Sequence, residues 1–176
     1  MPSVADKQRD VRRGVSRALG LSAAGLLLGI WLPLGHVPPG PLLGAVLLVP
    51  ALALTAAIGH LARHRFVSEP DIDGSGLSQD SAAAQIGQAV LQNTLEQAVL
   101  AALVWSAWIA LMPQGRFGPV VLAAVLFAVG RVLFWRGYAR GAPGRAMGFG
   151  LTFYPSVALL ALLVLTTLGR LLAALT

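Results

Sequence analysis

Five apolar stretches broken by short polar connectors run along this chain, over residues 18–35, 41–62, 82–112, 117–135 and 146–169. Each approaches the ~20 residues a helix needs to cross a hydrocarbon layer about 30 Å thick. Within such a layer the backbone must satisfy its own hydrogen bonds, so the pattern predicts an all-α membrane bundle. The connectors agree. "HVPPGP" separates the first stretch from the second, and Pro41 suits a first helical turn. "MPQGRFGP" separates the third from the fourth, with Pro119 placed alike, and "GAPG" separates the fourth from the fifth. Pro50 and Pro155 fall inside stretches, where membrane helices accommodate them as kinks. The longest polar linker is "SEPDIDGSGLSQDS", residues 68–81. Its "GSGLS" lacks the strand and the lysine of a phosphate loop, and reads as a flexible connector.

The first stretch follows a polar, basic segment, residues 1–17, that carries Lys7, Arg9, Arg12, Arg13 and Arg17 against Asp6 and Asp10. A signal peptide would begin in this way, but no small-x-small cleavage site follows. An uncleaved helix is expected, occupying residues 18–40 with its loop. With the N-terminus inside and five crossings, one side also receives Arg63, Arg65, Arg131, Arg136, Arg140 and Arg145. The other side receives Arg116 and Arg170. Positive charge collects on cytoplasmic loops, so the count predicts a cytoplasmic N-terminus.

Composition narrows the picture. The chain is 56% hydrophobic and 11% charged, against about a quarter charged in soluble domains. The net charge of +6 then reads as topology signal rather than as a nucleic-acid footprint. The absence of cysteine excludes disulfides, thiolate metal sites and a cysteine nucleophile. His60 and His64 have the i, i+4 spacing of helical metal ligands, but no third ligand is near, so no metal is expected.

The third stretch carries the candidate chemistry. At ~100° per residue, Gln85, Gln88, Gln92, Asn93, Glu96 and Gln97 occupy about half of its circumference. Such a stripe is expected to face other helices or a water-filled cavity, because lipid cannot solvate it. Amides alone would serve as glue between helices at about 0.6–2 kcal/mol per contact. Glu96 asks for more, since an intramembrane carboxylate wants a cationic partner. In the fourth stretch Arg131 and Tyr138, seven apart, share a face. Arg131 could pair inward or snorkel to the interface. Arg145 stands before the fifth stretch, either as a topology charge or turned back into a cavity.

"LQNTLEQ" (91–97) together with "GRVLFWRGYARGAPGRAMGFGLTFYP" (130–155) resembles the membrane-associated proteins in eicosanoid and glutathione metabolism, the MAPEG family. The resemblance covers residues 41–176 and leaves the first stretch outside the family's four-helix pattern. It implies a homotrimer of four-helix bundles in a membrane, here a bacterial inner membrane. It implies glutathione bound between protomers on the cytoplasmic side. There it would be conjugated to lipophilic electrophiles, or used on hydroperoxides. By the same resemblance Asn93 and Glu96 match the family's polar pair, Arg131 and Tyr138 its Arg and Tyr, and Arg145 the arginine that holds the glutathione thiolate. Gln92 joins the ligand-binding set, and Arg65 or Arg63 matches a basic residue lent across the interface.

Three positions depart from that pattern. Ala89 stands where the family has an arginine, Gln97 where a tyrosine is frequent, and Phe134 at an aromatic site without its hydroxyl. Losing one charge-assisted hydrogen bond of roughly 1.5–3 kcal/mol weakens binding tenfold or more. Two readings follow. One is a glutathione-dependent membrane transferase or peroxidase. The other is a non-enzymatic lipid-binding or scaffolding protein, in which Glu96 and Arg131 form an intramembrane ion pair. A small transporter is a third class, without an inverted repeat or a ring of like charges to support it.

Overall fold

The computed structural model describes residues 3–74 and 80–175. They form five helices: α1 (Val4–Ile30), α2 (Pro39–Val67), α3 (Ala82–Leu111), α4 (Gly118–Tyr138) and α5 (Gly141–Leu175). Four segments are long and apolar enough to cross a membrane: Pro39–Val67, Ala82–Leu111, Gln114–Tyr138 and Gly141–Leu175. Most of the expected "GSGLS" connector lies outside the described residues.

Two boundaries differ from expectation. The basic segment before residue 18 is helical from Val4 onward. Ser3 and Asp6 form a reciprocal capping box that satisfies orphan N–H groups at its start. Asp6–Arg9 and Asp10–Arg13 pairs, both at i, i+3, then support the exposed turns. Likewise "GAPG" is not a connector but the first turn of α5. Gly141 adopts a left-handed φ of 80°, which reverses the chain three residues after Tyr138. Pro143 then sits in the first turn, where its missing N–H has no intrahelical partner to lose.

Close packing of α4 on α5 follows from the glycines in that region. A Cβ on Gly137 would collide with the Gly144 carbonyl, and one on Gly148 would lie 2.3 Å from the Phe134 nitrogen. The two backbones therefore touch, as small residues allow in membrane helix pairs.

The half of α1 after Gly14 packs along both of these helices. Ala18, Ser22, Gly25 and Gly29 form its buried edge. A Cβ on Gly14 would meet Ala146 near the start of α5, and one on Gly29 would meet Pro119 at the start of α4. This part of α1 thus runs the full height of α4, although its charged first half keeps it out of the set of four apolar spans.

The large side chains fill the half of the bundle remote from the α4–α5 turn. Trp105 and Phe127 meet edge to face at 5.8 Å, beside Phe117, Val120 and Leu159. The outer faces are apolar. Leu52 on α2, Leu103 on α3 and Leu165 on α5 are among the exposed side chains.

Candidate functional site

Asn93, Tyr138 and Arg145 converge on one cavity of about 400 Å³ near the α4–α5 turn. α3 supplies Asn93 and Ala89, α4 supplies Phe134 and Tyr138, and α5 supplies Arg145 and Phe149. Three of the side chains singled out in the sequence therefore share a wall. The placement is local in origin. Tyr138 closes α4, the Gly141 turn follows, and Arg145 lies one turn into α5. Its guanidinium rests over the Tyr138 ring at 4.5 Å, a cation–π contact that orders both groups.

Arg131 lies behind the cavity wall. It is 5% exposed and points inward, so it does not snorkel. Its Nη1 donates to Asn93 Oδ1 (3.0 Å) and its Nη2 donates to Thr152 Oγ1 (2.8 Å). Thr152 in turn donates to the Phe149 carbonyl (2.8 Å). The Phe134 ring lies 4.5 Å from the guanidinium carbon. This chain of charge-assisted bonds fixes Asn93 Oδ1 toward α4 and leaves its amide N–H₂ for the cavity.

The polar stripe of α3 divides between two faces. Gln97 is buried and Asn93 half-buried, whereas Gln85, Gln92 and Glu96 are exposed. Gln92 Nε2 donates to Glu96 Oε1 (3.0 Å). The anticipated Glu96–Arg131 ion pair is thus not formed: the carboxylate takes Gln92, and the guanidinium takes Asn93 on α3 and Thr152 on α5. The expectation that the whole stripe faces helices or a cavity holds within the chain for Gln88, which meets α2, and for Asn93 and Gln97. Glu96 sits midway along a membrane-length helix, on its outer surface.

Arg65 lies at the end of α2. Its Nη2 donates to Gln88 Oε1 (3.4 Å) and lies 3.8 Å from Asp80. It does not line the cavity of its own chain.

The two spaced histidines go separate ways. His60 packs edge to face on Trp135 at 5.0 Å, and His64 Nε2 bonds Asp71 Oδ2 (3.1 Å). Asp71 also accepts from Ser68 Oγ, Ser81 N (2.7 Å) and Ser81 Oγ (2.8 Å). These bonds, that from Ser68 first, hold its carboxyl well below the usual carboxylate range. Ser81 is the N-cap of α3, so the cluster pins the start of that helix to the end of α2. Asp and Ser meet the same ring nitrogen, which is the wrong arrangement for a catalytic triad.

Reading the sequence alone missed Thr152, Val11 and Val15. Thr152 was legible: with Arg145 and Phe149 it makes an i, i+4, i+7 series on one face of α5. The two valines, which close the cavity from α1, carried no signal.

A model of the MAPEG family matches residues 40–165, which take in α3, α4 and most of α2 and α5, including every site residue named above except those of α1. No curated protein and no solved structure matches the chain.

Proposed function

Because the chain belongs to the MAPEG family and is an integral membrane protein, we propose that its cavity binds glutathione and holds the sulfur as a thiolate for reaction with lipophilic substrates. The convergence of Asn93, Tyr138 and Arg145 on one 400 Å³ space carries this reading. A free thiol has a pKa near 8.5 and is mostly protonated at neutral pH. A guanidinium in a partly dry site favours the thiolate. Arg145 supplies that charge. Tyr138 orders Arg145 and offers a hydroxyl. Asn93, oriented by Arg131, presents an amide to the tripeptide backbone. The thiolate then attacks the electrophilic carbon of a transferase substrate delivered from the bilayer between the helices, forming the C–S bond as the leaving group departs. With a hydroperoxide it attacks the terminal oxygen, the O–O bond breaks and the alcohol leaves after protonation. A second glutathione converts the resulting sulfenic acid to the disulfide with release of water.

The cavity of one chain offers a single guanidinium to a ligand with two carboxylates, and Ala89 occupies the wall where the resemblance leads one to expect another. The exposed Gln92–Glu96 pair supports cover by a second copy, since a carboxylate at that depth is costly against lipid. The family's homotrimer would provide it. Glu96 and Gln92 then reach the ligand across the interface, and Arg65, beside Gln88 on the same stripe, lends its charge. The basic ends of α1 and α2 and the α4–α5 turn support an interface on the cytoplasmic side, in keeping with the bacterial inner membrane expected from the sequence.

The test is ultraviolet difference absorbance of detergent-purified protein with glutathione. A thiolate band is expected from the wild type and its loss from Arg145→Ala. A folded wild type without the band contradicts the proposal. Ala89 favours one alternative, a lipid-binding or scaffolding protein that keeps the bundle without the thiol. In that case glutathione leaves the spectrum unchanged.

A further inference from the structure

On the other flank of α1 a second, open concavity of about 520 Å³ lies at the level of the α4–α5 turn. Arg13 and Arg17 enter it from α1 and Arg140 from the turn. Its floor is glycine: Gly14, pressed on the backbone of Ala146 and Met147, and Gly144. Asp10 is the one carboxylate present, and it pairs with Arg13 at 3.5 Å. The side chains of Arg17 and Arg140 make no ion pair or hydrogen bond among the described residues. Two segments far apart in sequence thus bring three guanidiniums around one carboxylate. α5 also begins there with no acidic residue in its first turn.

The same face of α1 continues below the arginines. Leu21 and Leu28 follow Arg17 at spacings that keep them on that face, and both are exposed, at 47% and 64%. Cationic groups therefore stand at headgroup height above an apolar strip at hydrocarbon depth. A soluble anion would use only the upper half of this surface. An amphipathic anion uses all of it.

We propose that this concavity between α1 and the α4–α5 turn is a binding site for an anionic phospholipid. The phosphate diester engages Arg17, Arg140 and Arg13, and an acyl chain lies along Leu21 and Leu28. Basic pockets between helices at the cytoplasmic surface recognise lipid headgroups in this way. The site is separate from the glutathione cavity, but α1 walls both, with Val11 and Val15 on one side and Arg13 and Arg17 on the other. A bound headgroup bridges α1 to the turn that leads into the first turns of α5, where Arg145 lies.

The test titrates detergent-purified full-length protein, in phosphatidylcholine-containing micelles, with fluorescent phosphatidylglycerol. Juxtamembrane arginines contribute roughly a fivefold preference each, so Arg17→Gln/Arg140→Gln should weaken binding by on the order of 25-fold. Arg136→Gln, an exposed interfacial arginine outside the concavity, should leave binding within twofold. Equal losses from Arg136→Gln and from the double variant would mean general basicity and overturn the proposal. So would complete displacement of the lipid by inorganic phosphate at matched ionic strength, which marks a soluble-anion site. Should the double variant fail to fold, Arg140→Gln alone must give the roughly fivefold loss, and no loss from it overturns the proposal.

Discussion

A methyl group at Gly148 is expected to damage the fold and the site together. Its Cβ would lie 2.3 Å from the Phe134 nitrogen and 2.7 Å from both the Gly130 oxygen and the Phe134 Cα. All three are backbone atoms of α4, so no side chain can swing aside. Carbon contacts are comfortable at about 3.5–4.0 Å, so α5 must retreat by roughly 1 Å. Overpacking of this kind costs about 1–3 kcal/mol. Alanine returns about 1 kcal/mol of helix propensity, which leaves a net loss of roughly 0–2 kcal/mol and a gap of about 1–3 kcal/mol from an unhindered Gly→Ala change. Gly169→Ala is the matched control on the same helix. Nothing lies within 4 Å of its added Cβ, so it should be neutral or stabilising by up to about 1 kcal/mol. Unfolding in mixed detergent micelles, followed by circular dichroism, compares the two. Arg145 lies one turn before Gly148, so the retreat also lifts its guanidinium from the Tyr138 ring. Equal stability of Gly148→Ala and Gly169→Ala would refute the claim that α4 and α5 touch backbone to backbone.

Other outcomes follow from particular contacts. Arg131→Met leaves Asn93 Oδ1 without its donor and should cost about 1–3 kcal/mol in the same unfolding assay, while Thr152 keeps its bond to Phe149. No change would mean the guanidinium is not holding Asn93. Asp71 has a folded-state pKa depressed below its unfolded value, so its contribution is complete above about pH 4 and is lost as pH falls further. The gap in unfolding midpoint between wild type and Asp71→Asn should therefore be wide at pH 7 and narrow below pH 4. A gap independent of pH would contradict the buried clamp. Arg145→Ala should remove the glutathione thiolate band and leave unfolding within about 0.5 kcal/mol, as for a half-buried side chain outside the core.

Much of the bundle was legible because membrane helices announce themselves by length and apolarity. The four spans appear in the sequence with ends that shift by up to six residues, and the Gly141 turn explains the early start of α5. The union of Tyr138 with Arg145 was legible as well, since seven residues across a glycine turn leave little freedom. The burial of Arg131 was not. Snorkelling and inward pairing look alike until Thr152 arrives from α5. The outward aim of Glu96 was also hidden. A helical wheel shows that a polar arc exists, but which part of it faces the chain's own neighbours depends on packing. Here Ala98 and Ala101 turn toward the core and carry Asn93 and Gln97 part of the way with them. The helix expected over residues 18–40 is present, but its packing was hidden for a different reason. Its register against α4 and α5 is set by small residues, and these carry little hydropathy.

Glutathione binding tests the central claim most directly. Calorimetric titration of detergent-purified wild-type protein should give a saturable isotherm that weakens at least tenfold in Arg145→Ala, the loss expected for one charge-assisted bond. A folded, homogeneous wild type that shows no saturable heat with glutathione would contradict the account and leave a membrane bundle without a thiol ligand.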